Sequence, residues 1–354
     1  AFLANIQVDD SVNAPGSGPV LIGAIPFNSQ QPHDFVLPKL LVCKSDDGRC
    51  WVTTIQDTEL DKSGSIDLDL SPVHAPNATS SSYTVTPGVD IETYLQAVTA
   101  ARDAVRSGAI TKAVIARDVF VTSSQPIDIH SVLLRLRNSF GSSYQFSVDG
   151  FVGASPELLV SIVDGEVSSH PLAGTAPRTG DPTTDAQLAT SLLSSTKNQI
   201  EHRIVIDAVH DTLLPWCSYL DWEPEASIVA VANVQHLGTH MLGRLSEPFL
   251  HVLDAVYALS PTPALGGFPR DKALKLIADV EGMSRGRYGG AVGWFDAQGN
   301  GVWAVAIRCA EYSNNNMTAR LFAGGGIVAD SEPLAELAET QAKLQAMLAA
   351  IIRP

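Results

Sequence analysis

Apolar and polar positions alternate along this chain with two periods, and the change of period divides it into unequal parts. From about residue 18 to 70, short apolar runs are separated by turn residues: Val20-Leu-Ile-Gly-Ala-Ile25, Phe35-Val-Leu37, Lys39-Leu-Leu-Val-Cys43 and Trp51-Val-Thr-Thr-Ile55. That is the pattern of a strand meander. The segment 72–87, rich in Ser, Thr and Pro, reads as a linker. From Asp90 the period becomes helical, with Ile91, Tyr94, Leu95 and Val98 on one stripe and Gly108 as the stop. Beyond it the pattern predicts strands over 112–121, 144–152, 157–163, 227–234, 288–295, 302–311 and 317–323. Helices are predicted over 129–138, 185–214, 249–258, 270–280 and 333–352. Many hairpin-like strands without a regular βαβ alternation favour an α/β chain of the α+β type, with large antiparallel sheets covered by helices.

Composition narrows the function classes. With 354 residues and 45% hydrophobic content, the chain can bury a large core. We expect one domain over 1–354, with 1–89 as N-terminal strands and linker and 90–354 carrying the chemistry. The formal net charge of −15 argues against nucleic acid or an anionic membrane as partner. An anionic substrate therefore has to be held by local cations or a metal. No apolar run approaches a membrane span, and the N-terminus lacks the pattern of a signal peptide, so a cytoplasmic place is expected. Cys43, Cys50, Cys217 and Cys309 show no metal-ligand spacing. Cys43 and Cys50 flank a polar run, which a hairpin end explains better than a disulfide.

Several polar groups interrupt apolar surroundings. Glu336, Glu339 and Lys343 stand at i, i+3 and i+7, so a helix carries two carboxylates and an ammonium along one face. Two convergent carboxylates suit Mg²⁺, and Arg308 with Lys343 suits an organic acid. A solvated helix face with an ordinary Glu339–Lys343 pair uses the same spacing. Lys112 opens an apolar strand, where a lysine is ordinarily a solvated gatekeeper. Buried near other cations, it would instead have a depressed pKa and act as a base. Glu157 turns into an apolar strand, as a cap or solvated group, or as a protonated general acid. Gly174 and Thr175 lie in His170-Pro-Leu-Ala-Gly-Thr-Ala-Pro-Arg178, whose amides either bind a carboxylate or merely make a turn. Glu201 and His202 belong to the long helix, where a single glutamate is normally exposed. His236 and His240 read first as structural histidines, since Gly238 and the missing glutamate weaken a helical zinc reading. Glycines 324–326 lack the strand, helix and downstream acid of a dinucleotide fingerprint.

Taken in order, these motifs resemble the chorismate-utilising enzymes, and among them the isochorismate synthases of siderophore and menaquinone pathways. The resemblance covers about 90–350. It runs through Lys112-Ala-Val-Ile-Ala-Arg117, Gly153-Ala-Ser-Pro-Glu157, His170-Pro-Leu-Ala-Gly-Thr175, Lys197-Asn-Gln-Ile-Glu-His202 and Pro261-Thr-Pro-Ala-Leu-Gly-Gly267. It continues through Arg285-Gly-Arg-Tyr288, Val305-Ala-Ile-Arg308, Gly324-Gly-Gly-Ile327 and Glu336-Leu-Ala-Glu-Thr340. It implies two large antiparallel sheets packed face to face with helices outside. It also implies Lys112 as the base that activates water for attack on C2 of chorismate, and Glu157 as the acid that protonates the departing C4 hydroxyl. Glu201, Glu336 and Glu339 match carboxylates that hold Mg²⁺. Gly174, Thr175, Tyr288, Arg308, Gly324 and Lys343 match positions that bind the substrate carboxylates, and His236 lines the same pocket. Ala264 and Leu265 would lie beside C2. No redox cofactor and no obligatory protein partner are implied.

Subfamily rests on fewer residues. Anthranilate-type relatives usually carry glutamine where Lys112 stands, and aminodeoxychorismate synthases often a lysine where Ala173 stands. Salicylate synthases share Lys112 and Glu157 but differ around Pro263-Ala-Leu-Gly-Gly267. A salicylate synthase and an idle chorismate-binding subunit are the two competing readings. Asn198 replaces a common acidic residue, and Ser260 a common histidine.

Overall fold

The computed structural model describes residues 3–45, 47–56, 81–231 and 233–353. Two large antiparallel sheets dominate. The first runs, in spatial order, Cys217–Trp222, Met241–Leu245, Glu166–His170, Leu158–Val163, Gly301–Val305, Ala291–Asp296, Val20–Ile25 and Phe35–Val36. The second runs Gly267–Phe268, Lys112–Ser123, Thr318–Ile327, Cys309–Ser313, Phe151–Ser155 and Tyr144–Val148, with Tyr83–Pro87 also pairing to Lys112–Ser123. A three-stranded sheet of Leu172–Pro177, Val234–Gly238 and Ser227–Val231 and a hairpin of Leu40–Lys44 with Cys50–Thr54 complete the set.

Strand alternation explains how the layers stack. In Lys112–Ser123, Ala113 and Ile115 pack under helices Ile91–Arg106 and Arg270–Val280, while Val119 and Val121 pack under Ile129–Phe140 and Pro333–Ile352. Ala116 points the other way, into the cluster between the sheets that holds Phe151, Val160 and Trp303. Those three side chains are wholly buried, each worth about 1.5–3 kcal/mol of apolar transfer. One face of the second sheet thus meets the first sheet and the other is roofed by helices, as expected.

Several predicted elements differ in detail. The expected meander is only partly formed: Val20–Ile25 pairs with the next strand, Phe35–Val36, and with Ala291–Asp296 in the first sheet, while Leu40–Lys44 and Cys50–Thr54 form a separate hairpin. The 185–214 helix is two, Pro182–Ser194 and Thr196–Leu213, because Ser195 leaves the helical region at φ −73° and ψ 108° and caps the second with its hydroxyl. The 144–152 and 227–234 strands are hairpins. The 302–311 strand breaks at Ala306 to Arg308, where the chain crosses from one sheet to the other and Arg308 takes φ +51°. Of the expected linker, 83–87 is a strand and 72–80 lies outside the described residues. Cys43 and Cys50 sit on the two strands of the hairpin as free thiols.

Candidate active site

The two central strands of the second sheet, Lys112–Ser123 and Thr318–Ile327, pair over ten residues, placing Gly324, Gly325 and Gly326 opposite Ala116, Ile115 and Val114. A Cβ on Gly326 would stand 2.7 Å from Glu201 Oε1 and 2.8 Å from Lys112 Cε, and one on Gly325 would stand 2.8 Å from Glu336 Oε2. The glycine run is a bare stretch of strand against which charged side chains lie. This role differs from phosphate cradling. Helix Pro333–Ile352 crosses that stretch and brings Glu336, Glu339 and Lys343 to it. The second half of the split helix brings Glu201 from the other side.

A cavity of about 240 Å³ opens there. All fourteen residues singled out from the sequence line it: Lys112, Glu157, Gly174, Thr175, Glu201, His236, Ala264, Leu265, Tyr288, Arg308, Gly324, Glu336, Glu339 and Lys343. Lys197 and Asn198 line it too, although neither was among the residues expected to bind substrate or metal. Their signal was the helix start at Ser195: the first turn of a helix aimed at a cavity presents its side chains there. Asn198 also donates from Nδ2 to Ser195 Oγ at 2.9 Å, so the residue that replaces a common acid supports the cap. Ser260, the other departure, does not line the cavity; it ends helix Val252–Leu259 and gives its carbonyl to Arg270.

One wall is a network of ions. Lys112 is 1% exposed, so it is no solvated gatekeeper. Its Nζ donates to Glu201 Oε1 at 2.7 Å; its partner is a carboxylate rather than the other cations the sequence reading invoked. Burial works against ionised Glu201, but the charge and hydrogen bond of Lys112, with Lys343 and Lys197, hold its pKa below the ordinary value. Glu336 accepts from Ser331 Oγ at 2.7 Å, while Lys343 pairs with Glu339 at 2.6 Å and donates to the Gly324 carbonyl at 2.8 Å. Burial and then the charge of Glu339 raise the pKa of Glu336.

The rest of the lining carries buried Glu157, His236 and Arg308. Glu157, 3% exposed, sits at the junction of Phe151–Ser155 and Leu158–Val163. Burial pushes its pKa up to about 8, against the opposing pull of the Leu172 N–H, Lys112 and Arg308. Its carboxyl accepts only a long bond, 3.4 Å, from the Leu172 N–H. Gly174 has φ +72° at a bulge in Leu172–Pro177, a conformation that requires glycine and turns its carbonyl onto His236. His236 Nδ1 donates to that carbonyl at 3.0 Å, which leaves Nε2 free to accept from Arg308 Nη2 at 3.0 Å. Burial, Arg308 and Lys343 push the His236 pKa down to about 3, so the ring is neutral as that bond requires. Arg308 keeps most of its guanidinium donors for the cavity and occupies a backbone conformation uncommon for its type, of order 1–3 kcal/mol of strain. The buried Tyr288 ring stacks on Phe322 at 5.1 Å, with its hydroxyl near Gly324. His236 lies on strand Val234–Gly238 and not on a helix, and His240 is exposed and stacks on His170 at 4.6 Å, which removes the helical zinc reading.

Among the described residues, no three His, Cys, Asp or Glu side chains are gathered as a metal-ligand set. Each of the three glutamates already has a protein partner: Lys112, Ser331 or Lys343. The donor chemistry nevertheless suits a hard divalent cation. The donors are all oxygens, and burial followed by repulsion from Glu339 raises Glu336, the second of which such a cation relieves. A buried acid, a buried amine and several cations lining one cavity can bind a small dianion and move protons on it.

Residues 1–352 match the family described as chorismate binding enzyme. The chain is 37% identical over 349 residues to MenF of Mycobacterium tuberculosis (strain ATCC 25618 / H37Rv), covering 95% of this chain and 87% of that protein. It is 35% identical over 346 residues to isochorismate synthase DhbC of Bacillus subtilis (strain 168), covering 95% and 81%. The crystal structure of DhbC from Bacillus anthracis matches the fold with a TM-score of 0.79 at 34% identity, covering 94% of this chain and 83% of that one.

Proposed function

This chain belongs to the chorismate binding enzyme family, and on that premise we propose that it is an isochorismate synthase that exchanges the C4 hydroxyl of chorismate for one at C2. The observation that carries the reading is the presence of Lys112 and Glu157 in one cavity, the amine in an ion pair with Glu201 and the acid buried, with its pKa pushed up to about 8. Lys112 takes the proton of the water that attacks C2. It does so as the free amine, having first given its own proton to solvent, and ionised Glu201 at 2.7 Å orients its Nζ. Glu157 gives its proton to the hydroxyl leaving C4, so one water enters and one departs. Arg308, positioned by neutral His236, and Lys343 bind the substrate carboxylates together with the backbone at Gly174 and Thr175 and the Tyr288 hydroxyl. Ala264 and Leu265 shape the space beside C2.

Glu201, Glu336 and Glu339 are the residues that would hold Mg²⁺, whose charge would offset a substrate carboxylate in a protein of net charge −15. Four free cysteines and no pairing among them support a reducing compartment, the cytoplasm, as its place. Among the described residues, no helix is long and apolar enough to cross a membrane.

The test is a time course with purified protein and Mg²⁺, started separately from chorismate and from isochorismate, with chromatography of all products and a no-enzyme control. The same mixture should be reached from either side, because the bonds broken and made are of one type, and excess chelator should stop the reaction until Mg²⁺ is restored. Stoichiometric salicylate and pyruvate would transfer the chain to the salicylate synthases. Absence of turnover would make it a chorismate-binding subunit, and full activity in chelator would remove the metal.

A further inference from the structure

One edge of the Lys112–Ser123 strand is paired throughout to the glycine strand, but the other edge has a gap. Gly267 and Phe268 pair with Ala113 and Lys112, and Tyr83–Pro87 pairs from Val119 onward. Gly266 extends the first pairing by accepting from Val114 N at 3.0 Å, and Gly88 extends the second by donating to the Asp118 carbonyl at 3.0 Å. Between them no strand reaches the Val114 carbonyl or the Ala116 amide. Two side chains do. Glu281 Oε1 accepts from Ala116 N at 2.7 Å, and Arg285 Nη2 donates to the Val114 carbonyl at 2.7 Å. Arg285 Nη1 also donates to the Leu265 carbonyl at 2.8 Å, and the guanidinium and carboxylate are joined by two bonds of 2.7 and 2.5 Å. Phe27 covers the guanidinium with its ring 4.2 Å from Cζ. Glu281 is 3% exposed and Arg285 4%.

A buried ion pair is a weak source of stability, since well-packed apolar residues often replace one at no cost. What this pair supplies is a fixed distance. It joins the strand that carries Lys112 and Val114 to the loop that carries Ala264 and Leu265, from behind the cavity wall. We propose that Arg285 and Glu281 are positioning residues that complete the open edge of the Lys112 strand and lock Leu265 against it, setting the geometry between the base and the pocket beside C2. Arg285 is suited to this because its planar fork bonds two carbonyls and a carboxylate at once, which the point charge of a lysine cannot.

The activity readout of this proposal rests on the isochorismate synthase reading; its structural readout does not. In wild type, the Ala116 amide should exchange with deuterium as slowly as the amides bonded to the glycine strand. Exchange like that of an unpaired edge amide would overturn the proposal. In Arg285→Lys, turnover per folded molecule should fall roughly 10- to 100-fold, the scale of a misplacement near 1 Å. KM should move by less than about threefold, because the substrate-binding cations are untouched. Pyruvate should form a larger share of the products. Glu281→Gln keeps the shape and an acceptor for Ala116, so it should show a smaller loss in the same direction, and it carries the test if Arg285→Lys does not fold. Wild-type turnover and product ratio in either folded variant, or losses that vanish once corrected for folded fraction, would overturn the proposal. Failure of wild type to turn over chorismate would instead remove the functional reading and leave the exchange result to decide the clamp.

Discussion

Two glutamates face each other across the cavity, both withdrawn from water, in opposite states. Glu201 is held ionised by the Lys112 ammonium at 2.7 Å, whereas Glu157 has only a backbone N–H at 3.4 Å and is pushed up to about 8. Burial acts on both in the same sense, so the difference comes from the partner that each wall supplies. The glycine-strand wall supplies ions because it lacks side chains: without Cβ atoms at 325 and 326, Glu336, Glu201 and Lys112 lie close against the strand. At Glu157 the charges of Lys112 and Arg308 also pull the pKa down, but burial outweighs them, and the hydrogen bond its carboxyl accepts is the long one from the Leu172 N–H. One pocket therefore holds an acid and a base at a single pH.

The largest effects should come from removing the opposed pair. Lys112→Gln and Glu157→Gln should each lower kcat by roughly 10²–10⁴-fold, the range for loss of an acid or base. Near wild-type turnover in either folded variant would end its assignment. Next is the ionic wall: Glu339→Ala should cost on the order of 10²-fold in turnover and lose the response to added Mg²⁺. A Mg²⁺ titration unchanged from wild type would show that the carboxylates serve only one another.

The pH dependence separates the walls further. With Glu157 acting as an acid, kcat should fall about tenfold per pH unit above the pKa of about 8. Stability follows the same group. Its folded pKa lies above the ordinary 4.5, so between those values the folded protein holds a proton that the unfolded chain has lost. Stability from this source is complete below about 4.5 and gone above about 8, a change on the order of 5 kcal/mol at about 1.4 kcal/mol per unit. Glu157→Gln should flatten that decline when melting is followed across this window; an unchanged slope would assign it to other groups. Smallest is the rim. Lys197→Ala should raise KM by roughly three- to tenfold at low ionic strength and by little at high salt, since an exposed cation attracts through a screened field.

Periodicity carried much of the fold. Helices Arg270–Val280 and Pro333–Ile352 begin and end where the pattern predicted, because amphipathic spacing is a property of the local sequence. The breaks were harder to see. Nothing in Val305-Ala-Ile-Arg308 announces that the chain changes sheets there or that Arg308 takes a positive φ; that is set by the two layers it joins. The Ser194-Ser195-Thr196 cluster did signal the split helix, yet the apolar stripe on either side concealed it. Local pattern could not bring Lys112, Glu157 and Glu201 together, since they are far apart in sequence; their common cavity was foreseen only through the family resemblance. Glu281 and Arg285 are an i, i+4 pair that on sequence alone is an ordinary surface feature, and only burial and the carbonyls around them give the pair its meaning.

The contrast between the two glutamates is most directly tested by titrating them in the ligand-free protein. Carbon-13 NMR of side-chain-labelled glutamate, assigned by comparison with Glu157→Gln and Glu201→Gln, reads each carboxyl separately. The account predicts that the resonance lost in Glu157→Gln belongs to a protonated carboxyl at neutral pH with a midpoint of about 8. The resonance lost in Glu201→Gln should belong to a carboxylate across that whole range. A Glu157 carboxyl that titrates near 4.5, together with Glu201 and not apart from it, would contradict the account.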